Sequence, residues 1–62
     1  MMGKWEFVES LFDAYRDTPT AMTVEDAEND LRTFRAEGWD VPSDLTAEEY
    51  ADIWNELTKE AQ

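Results

Sequence analysis

The residues of this chain that offer chemistry by type and spacing are its carboxylates. Sixteen Asp and Glu stand against five Lys and Arg in 62 residues, a formal net charge of -11, and there is no Cys and no His. Two carboxylates held together can divide the roles of general acid and general base, as Glu48 with Glu49 or Asp40 with Asp44 would. That division needs a pocket deep enough to push their pKa values apart. A chain this short buries only about 60% of the surface its unfolded form exposes, which leaves little volume for such a pocket. An enzyme is not expected. A calcium loop opening at Asp40 would require an oxygen ligand at its third position, Gly at its sixth and Glu at its twelfth. Those positions hold Pro42, Leu45 and Ala51, so the motif is rejected. Lack of Cys and His also removes disulfides, the usual zinc ligands and the commonest general base, and no cofactor or metal is expected.

What remains for the carboxylates is binding. Acids three or four residues apart on a helix repeat every ~5 to 6 Å along its axis, close to the spacing of phosphates along a nucleic-acid strand. Such rows occur as Glu6, Glu9, Asp13 and Asp17, as Asp26, Asp30 and Glu37, and as Glu49, Asp52, Glu56 and Glu60. From Glu37 onward eight acids face a single base, Lys59, so the field is strongest in that part. A chain charged this way is repelled by nucleic acid and by anionic lipid, so neither is an expected direct partner. It would instead suit a basic groove built to hold DNA or RNA. The plainer reading is that any amphipathic helix turns a charged side to water, with the acidity serving solubility or a halophilic host.

The elements that must position these acids are three helices. Lys4 to Arg16 places Trp5, Phe7, Val8, Leu11, Phe12 and Tyr15 within one broad arc at helical period, opposite Glu6, Glu9, Asp13 and Asp17. Trp5 to Val8 also has the alternation of a strand, but no partner strand follows. Asp17-Thr18-Pro19-Thr20 reads as a linker because Pro19 lacks an amide proton and restricts Thr18. Thr23 and Asp26 have the spacing of a capping box that starts a second helix, Val24 to about Glu37, with Val24, Ala27, Leu31 and Phe34 inward. Gly38 suits a left-handed C-terminal cap, after which Trp39 packs back on Phe34. Pro42 interrupts the connector Asp40 to Asp44. Thr46 and Glu49 form the clearest capping box, with Leu45 and Tyr50 as a hydrophobic staple. The third helix that follows turns Tyr50, Ala51, Ile53, Trp54, Leu57 and Ala61 inward and Glu49, Asp52, Glu56 and Glu60 outward. The expected fold is all-α: a compact three-helix bundle, or a helical hairpin with a third helix packed across it, in a single small domain.

Aromatics and bases refine the picture. Trp5, Phe7, Phe12, Phe34, Trp39, Tyr50 and Trp54 exceed what a core of this size needs, and Trp is enriched at binding hot spots. Trp39, on a short loop after the cap, is the residue that either packs on Phe34 or is exposed to bind a partner. The bases can relieve repulsion locally, Arg32 with Glu28 and Lys59 with Glu56, while Arg35 can reach an acid on another helix. The start Met-Met-Gly-Lys-Trp-Glu has no apolar run for a signal peptide, and no segment approaches the ~20 apolar residues of a membrane span. A soluble cytoplasmic protein is expected.

With its stretches Val24-Glu25-Asp26-Ala27-Glu28-Asn29-Asp30 and Asp44-Leu45-Thr46-Ala47-Glu48-Glu49-Tyr50, the chain resembles the small acidic inhibitors that phages and mobile elements encode against CRISPR or restriction systems, many of them DNA mimics. The likeness is one of overall character, with no motif to align residue by residue. It implies a non-enzymatic inhibitor in a bacterial host cell, acting as monomer or homodimer on a basic nucleic-acid-binding protein or complex. On charge density, the partner-facing group is expected to be Glu48, Glu49, Asp52 and Glu56, with Asp40 and Asp44 at one end and Trp39 beside them. The alternative is a small acidic helical interaction module that docks through an aromatic patch.

Overall fold

The computed structural model describes residues 3–14 and 20–61 and contains three helices: α1 (Lys4–Ala14), α2 (Val24–Ala36) and α3 (Ala47–Ala61). Both ends of α2 and the start of α3 lie where local chemistry directs. The Thr23 hydroxyl accepts from the Asp26 amide at 3.1 Å, and the Asp26 carboxylate accepts from the Thr23 amide at 3.5 Å, closing the expected capping box on α2. At its other end Gly38 takes φ +82°, the Gly38 amide donates to the Arg35 carbonyl and the Trp39 amide donates to the Phe34 carbonyl. That pair of bonds is a Schellman cap, and it brings Trp39 onto Phe34 with ring centroids 4.7 Å apart. Thr46 and Glu49 make the reciprocal bonds of the second box, both at 3.2 Å, and α3 starts one residue later.

α3 is the central element, packed on both α1 and α2. Lys4 meets Glu49 and Phe12 meets Trp54, so α1 and α3 run in the same sense. Asn55 meets Met22 and Arg35 meets the residue just before the Thr46 cap, so α2 runs antiparallel to both. The result is a compact three-helix all-α bundle. Its core is Phe7, Val8, Leu11 and Phe12 of α1, Ala27 and Leu31 of α2, and Leu45, Tyr50, Ala51, Trp54 and Leu57 of the last segment, with Phe34 and Ile53 partly buried against it. An edge contact between Phe7 and Phe34, at 6.3 Å, joins the two outer helices.

Three inward placements expected from periodicity differ. Trp5 is exposed: it sits at the edge of its arc, and whereas Phe12 on the same edge is covered by Trp54 at 5.2 Å, the Trp5 indole donates to Glu9 in solvent. Val24 is exposed because it opens α2 to one side of the line through Ala27 and Leu31. Ala61 ends α3 exposed, past the core. Conversely Thr58, not expected inside, is buried with Leu57, and its hydroxyl has no hydrogen-bond partner among the described residues. Tyr15, Arg16 and the Asp17 to Pro19 part of the linker lie outside the described residues.

The segment entering α2 is fixed by side chains of α3. The Asn55 amide group grips the backbone of Met22 from both sides, its Oδ1 accepting from the amide at 2.7 Å and its Nδ2 donating to the carbonyl at 3.0 Å. The Trp54 indole donates to the Thr20 carbonyl at 2.8 Å. Part-buried backbone groups are thereby paired.

Candidate functional site

The site grows from the Schellman cap. Because Gly38 turns the chain back, Trp39 lies over Phe34, and through Phe34 the stack continues to Phe7 of α1. Packing on Phe34 does not hide Trp39. It remains 45% exposed, so the two alternatives posed by the sequence, cap packing and exposure, hold together. Its indole donates to Glu37 at 3.4 Å, a long bond at the surface.

Next to this aromatic plate the connector 40–44 and the start of α1 enclose a cleft of about 320 Å³, lined by Gly3, Lys4, Asp40, Val41, Pro42, Ser43 and Asp44. Lys4 governs its charge. The Lys4 ammonium donates to Glu49 at 2.7 Å and lies 3.6 Å from Asp44, and these are the ion pairs within 4 Å among the described residues. Donation to Glu49 holds the Lys4 ammonium above its ordinary pKa, with Asp44 adding a Coulomb contribution against partial desolvation. The Glu49 carboxyl is held below the ordinary value first by Lys4 and then by the Thr46 amide.

The expected partner-facing residues therefore divide. Asp40, which follows Trp39 in the chain, and Asp44 both line the cleft. Glu49 was expected on the far side with Asp52 and Glu56, but it is half-buried, engaged by Lys4 and by its own capping box. Glu48, Asp52 and Glu56 are exposed on α3, with Glu60 continuing the row toward the end of the helix. They line neither this cleft nor the one between α2 and the start of α3, and neither do Trp39 and Phe34.

The expected relief pairs Arg32 with Glu28 and Lys59 with Glu56 do not close to ion-pair distance. Exposed pairs of this kind stabilise little and lose side-chain entropy on forming. Arg35 instead donates to the Leu45 carbonyl at 3.1 Å, tying the end of α2 to the start of the α3 cap. Arg32 and Arg35 line a second, more open cleft with Glu28, Leu31, Ser43, Leu45, Thr46 and Ala47.

Lys4 is the residue that sequence reasoning missed. Its partners are forty and forty-five positions away, beyond any local spacing rule, and only its place in the first turn of a helix parallel to α3 brings it to them. Among the described residues no group of three or more His, Cys, Asp or Glu is placed to hold a metal ion, and no helix is long and apolar enough to cross a membrane. The chain matches no protein-family model, no curated protein and no solved structure.

Proposed function

We propose that this chain is a small acidic helical interaction module that docks a partner protein through the Trp39–Phe34 plate. The observation that carries this reading is Trp39 itself, a large ring fixed from behind by Phe34 and by the cap yet still 45% exposed. A rigid, half-exposed Trp loses little conformational freedom on binding and supplies much apolar area, which is why such residues anchor interfaces. Glu37 accepts from the Trp39 indole and Asp40 follows Trp39 in the chain, so a partner surface that is apolar at its centre and basic at its rim suits the plate. No catalysis, cofactor or metal enters this reading. The cytoplasm of a bacterial cell is the setting proposed for it.

A second reading has its own support. Glu48, Asp52, Glu56 and Glu60 form an exposed row on α3 in which no carboxylate has an ion-pair partner among the described residues. Such a row would suit a nucleic-acid mimic occupying the basic groove of a defence complex. Two variants separate the readings. Trp39→Ala should weaken binding at moderate salt if the plate is the anchor, whereas the triple reversal Asp52→Lys, Glu56→Lys and Glu60→Lys should abolish it if the row is. Loss in the triple variant with Trp39→Ala unaffected rejects the docking reading in favour of mimicry.

A further inference from the structure

Arg32 and Arg35 stand three positions apart on α2, which turns both to one face, and both line the cleft of about 620 Å³ between α2 and the start of α3. The chain has sixteen carboxylates, yet neither guanidinium has an ion-pair partner among the described residues. Even Glu28, which lines the same cleft, does not close on Arg32. Arg35 is nonetheless held in place. It donates from one Nη to the Leu45 carbonyl at 3.1 Å, which occupies one of the five N–H groups of the fork and orients the others. The same cleft is lined by Leu31 and Leu45 of the core and by half-buried Ala47.

We propose that this cleft docks a segment of a partner protein that presents one carboxylate, Asp or Glu, beside an apolar side chain. Arg32 and Arg35 take the carboxylate, and Leu31, Leu45 and Ala47 meet the apolar group. The inference goes beyond docking at Trp39 and does not rest on it. Charge complementarity selects the occupant. Two guanidiniums on one face, with no acid of their own chain paired to them, match the planar fork of a carboxylate. The body around them carries a net charge of -11, so a phosphorylated or polyacidic segment is repelled as it approaches. A segment with a single acid gains the short-range pairing and meets far less of that repulsion. The apolar part of the lining needs a matching group, since water left against it would gain nothing from the pairing. The cleft is open on one side, which suits an extended segment laid across it better than a free small molecule enclosed by it.

The test sets local recognition against the field of the whole molecule. The probes are three capped pentapeptides, Lys-Leu-Glu-Leu-Lys, Lys-Leu-Gln-Leu-Lys and Lys-Ser-Glu-Ser-Lys, titrated against the full chain and followed by NMR of the backbone amides and the arginine Nε–H groups. General attraction to an acidic protein favours the Gln peptide, which is the more positive. Wild type should instead bind the Leu-Glu-Leu peptide about three- to tenfold more tightly than the Gln peptide, with shifts centred on Arg32, Arg35, Leu45 and Ala47. The Ser peptide should bind more weakly than its Leu counterpart. Arg32→Gln should reverse the preference in favour of the Gln peptide, while Lys59→Gln, with the same net charge, should keep it. Arg32→Lys, which keeps the charge without the planar fork, should retain part of the preference and serves if Arg32→Gln is too unstable to measure. A wild-type preference for the Gln peptide, equal loss in Arg32→Gln and Lys59→Gln, equal binding of the Ser and Leu peptides, shifts centred on Trp39, or no binding would overturn the proposal. Hexanoate matching the Leu-Glu-Leu peptide in affinity and shifts would give the cleft to a free carboxylate, and dimerisation lost in Arg32→Gln would give it to a second copy. Either result rejects a partner segment.

Discussion

Lys4 and Glu49 form an ion pair that joins the first turns of α1 and α3. The pKa shifts give the pair a pH signature. Glu49 is held below its ordinary value of 4.5, so its contribution is present above that pH and is lost as pH falls through the lower folded-state value. Lys4 is held above 10.5, so its contribution is complete below that pH and is lost as pH rises through the higher folded-state value. Wild type should therefore exceed Lys4→Met in stability at neutral pH, with the margin shrinking at both extremes; urea unfolding of the two proteins across pH measures it. A margin independent of pH would mean that Lys4 acts through the packing of its stem. Thr58 predicts the opposite direction. Its buried hydroxyl has no hydrogen-bond partner among the described residues, so Thr58→Val, which keeps the branched shape, should stabilise by about 1 kcal/mol in thermal unfolding. Neither residue was legible from sequence, because the partners of Lys4 are distant in the chain and the burial of Thr58 depends on how the helices meet.

At the level of elements, legibility followed locality. Both capping boxes, the Gly38 turn and the contact of Trp39 with Phe34 join residues five positions apart or fewer, and all lie where spacing placed them. The starts of α2 and α3 were therefore readable, while the Asn55 clamp on Met22 and the Arg35 bond to Leu45 were not, since nothing in either neighbourhood names the partner. Two helix-terminal substitutions test this. Thr46→Ala should cost roughly 1 kcal/mol through the lost cap of α3. Gly38→Ala should cost about 1 to 2 kcal/mol from the left-handed backbone alone. A Cβ there would meet nothing within 4 Å, so crowding contributes none of it. Because the cap also seats Trp39, Gly38→Ala should alter the near-ultraviolet circular dichroism of the indole while the far-ultraviolet helical signal stays close to wild type. A stability unchanged by Gly38→Ala would deny the cap its role in positioning the plate.

As a whole molecule the protein confines a net charge of -11 within principal extents of 31 × 24 × 18 Å. Repulsion on that scale opposes folding, and the ion pairs among the described residues both depend on Lys4. Added NaCl should therefore raise the melting temperature, since screening relieves more repulsion than attraction. A fall between low and moderate salt would contradict this. The charge was plain in the composition, and so was its use by a basic partner as an expectation. The charge also pointed to the part after Gly38 as the partner-facing one, but not to the division of that part between the connector with Asp40 and Asp44 and the exposed row of α3. The surface proposed to meet the partner is the Trp39 plate. The most direct test places a photo-crosslinking amino acid at position 39 in one variant and at position 56 in another, and irradiates each in cells of the native host. Docking on the plate predicts that position 39 yields one discrete crosslinked protein, retained at moderate salt, and that position 56 yields little. Efficient crosslinking from position 56 with none from position 39, abolished by moderate salt, would rule out docking on the plate and leave the acidic row of α3 as the binding face.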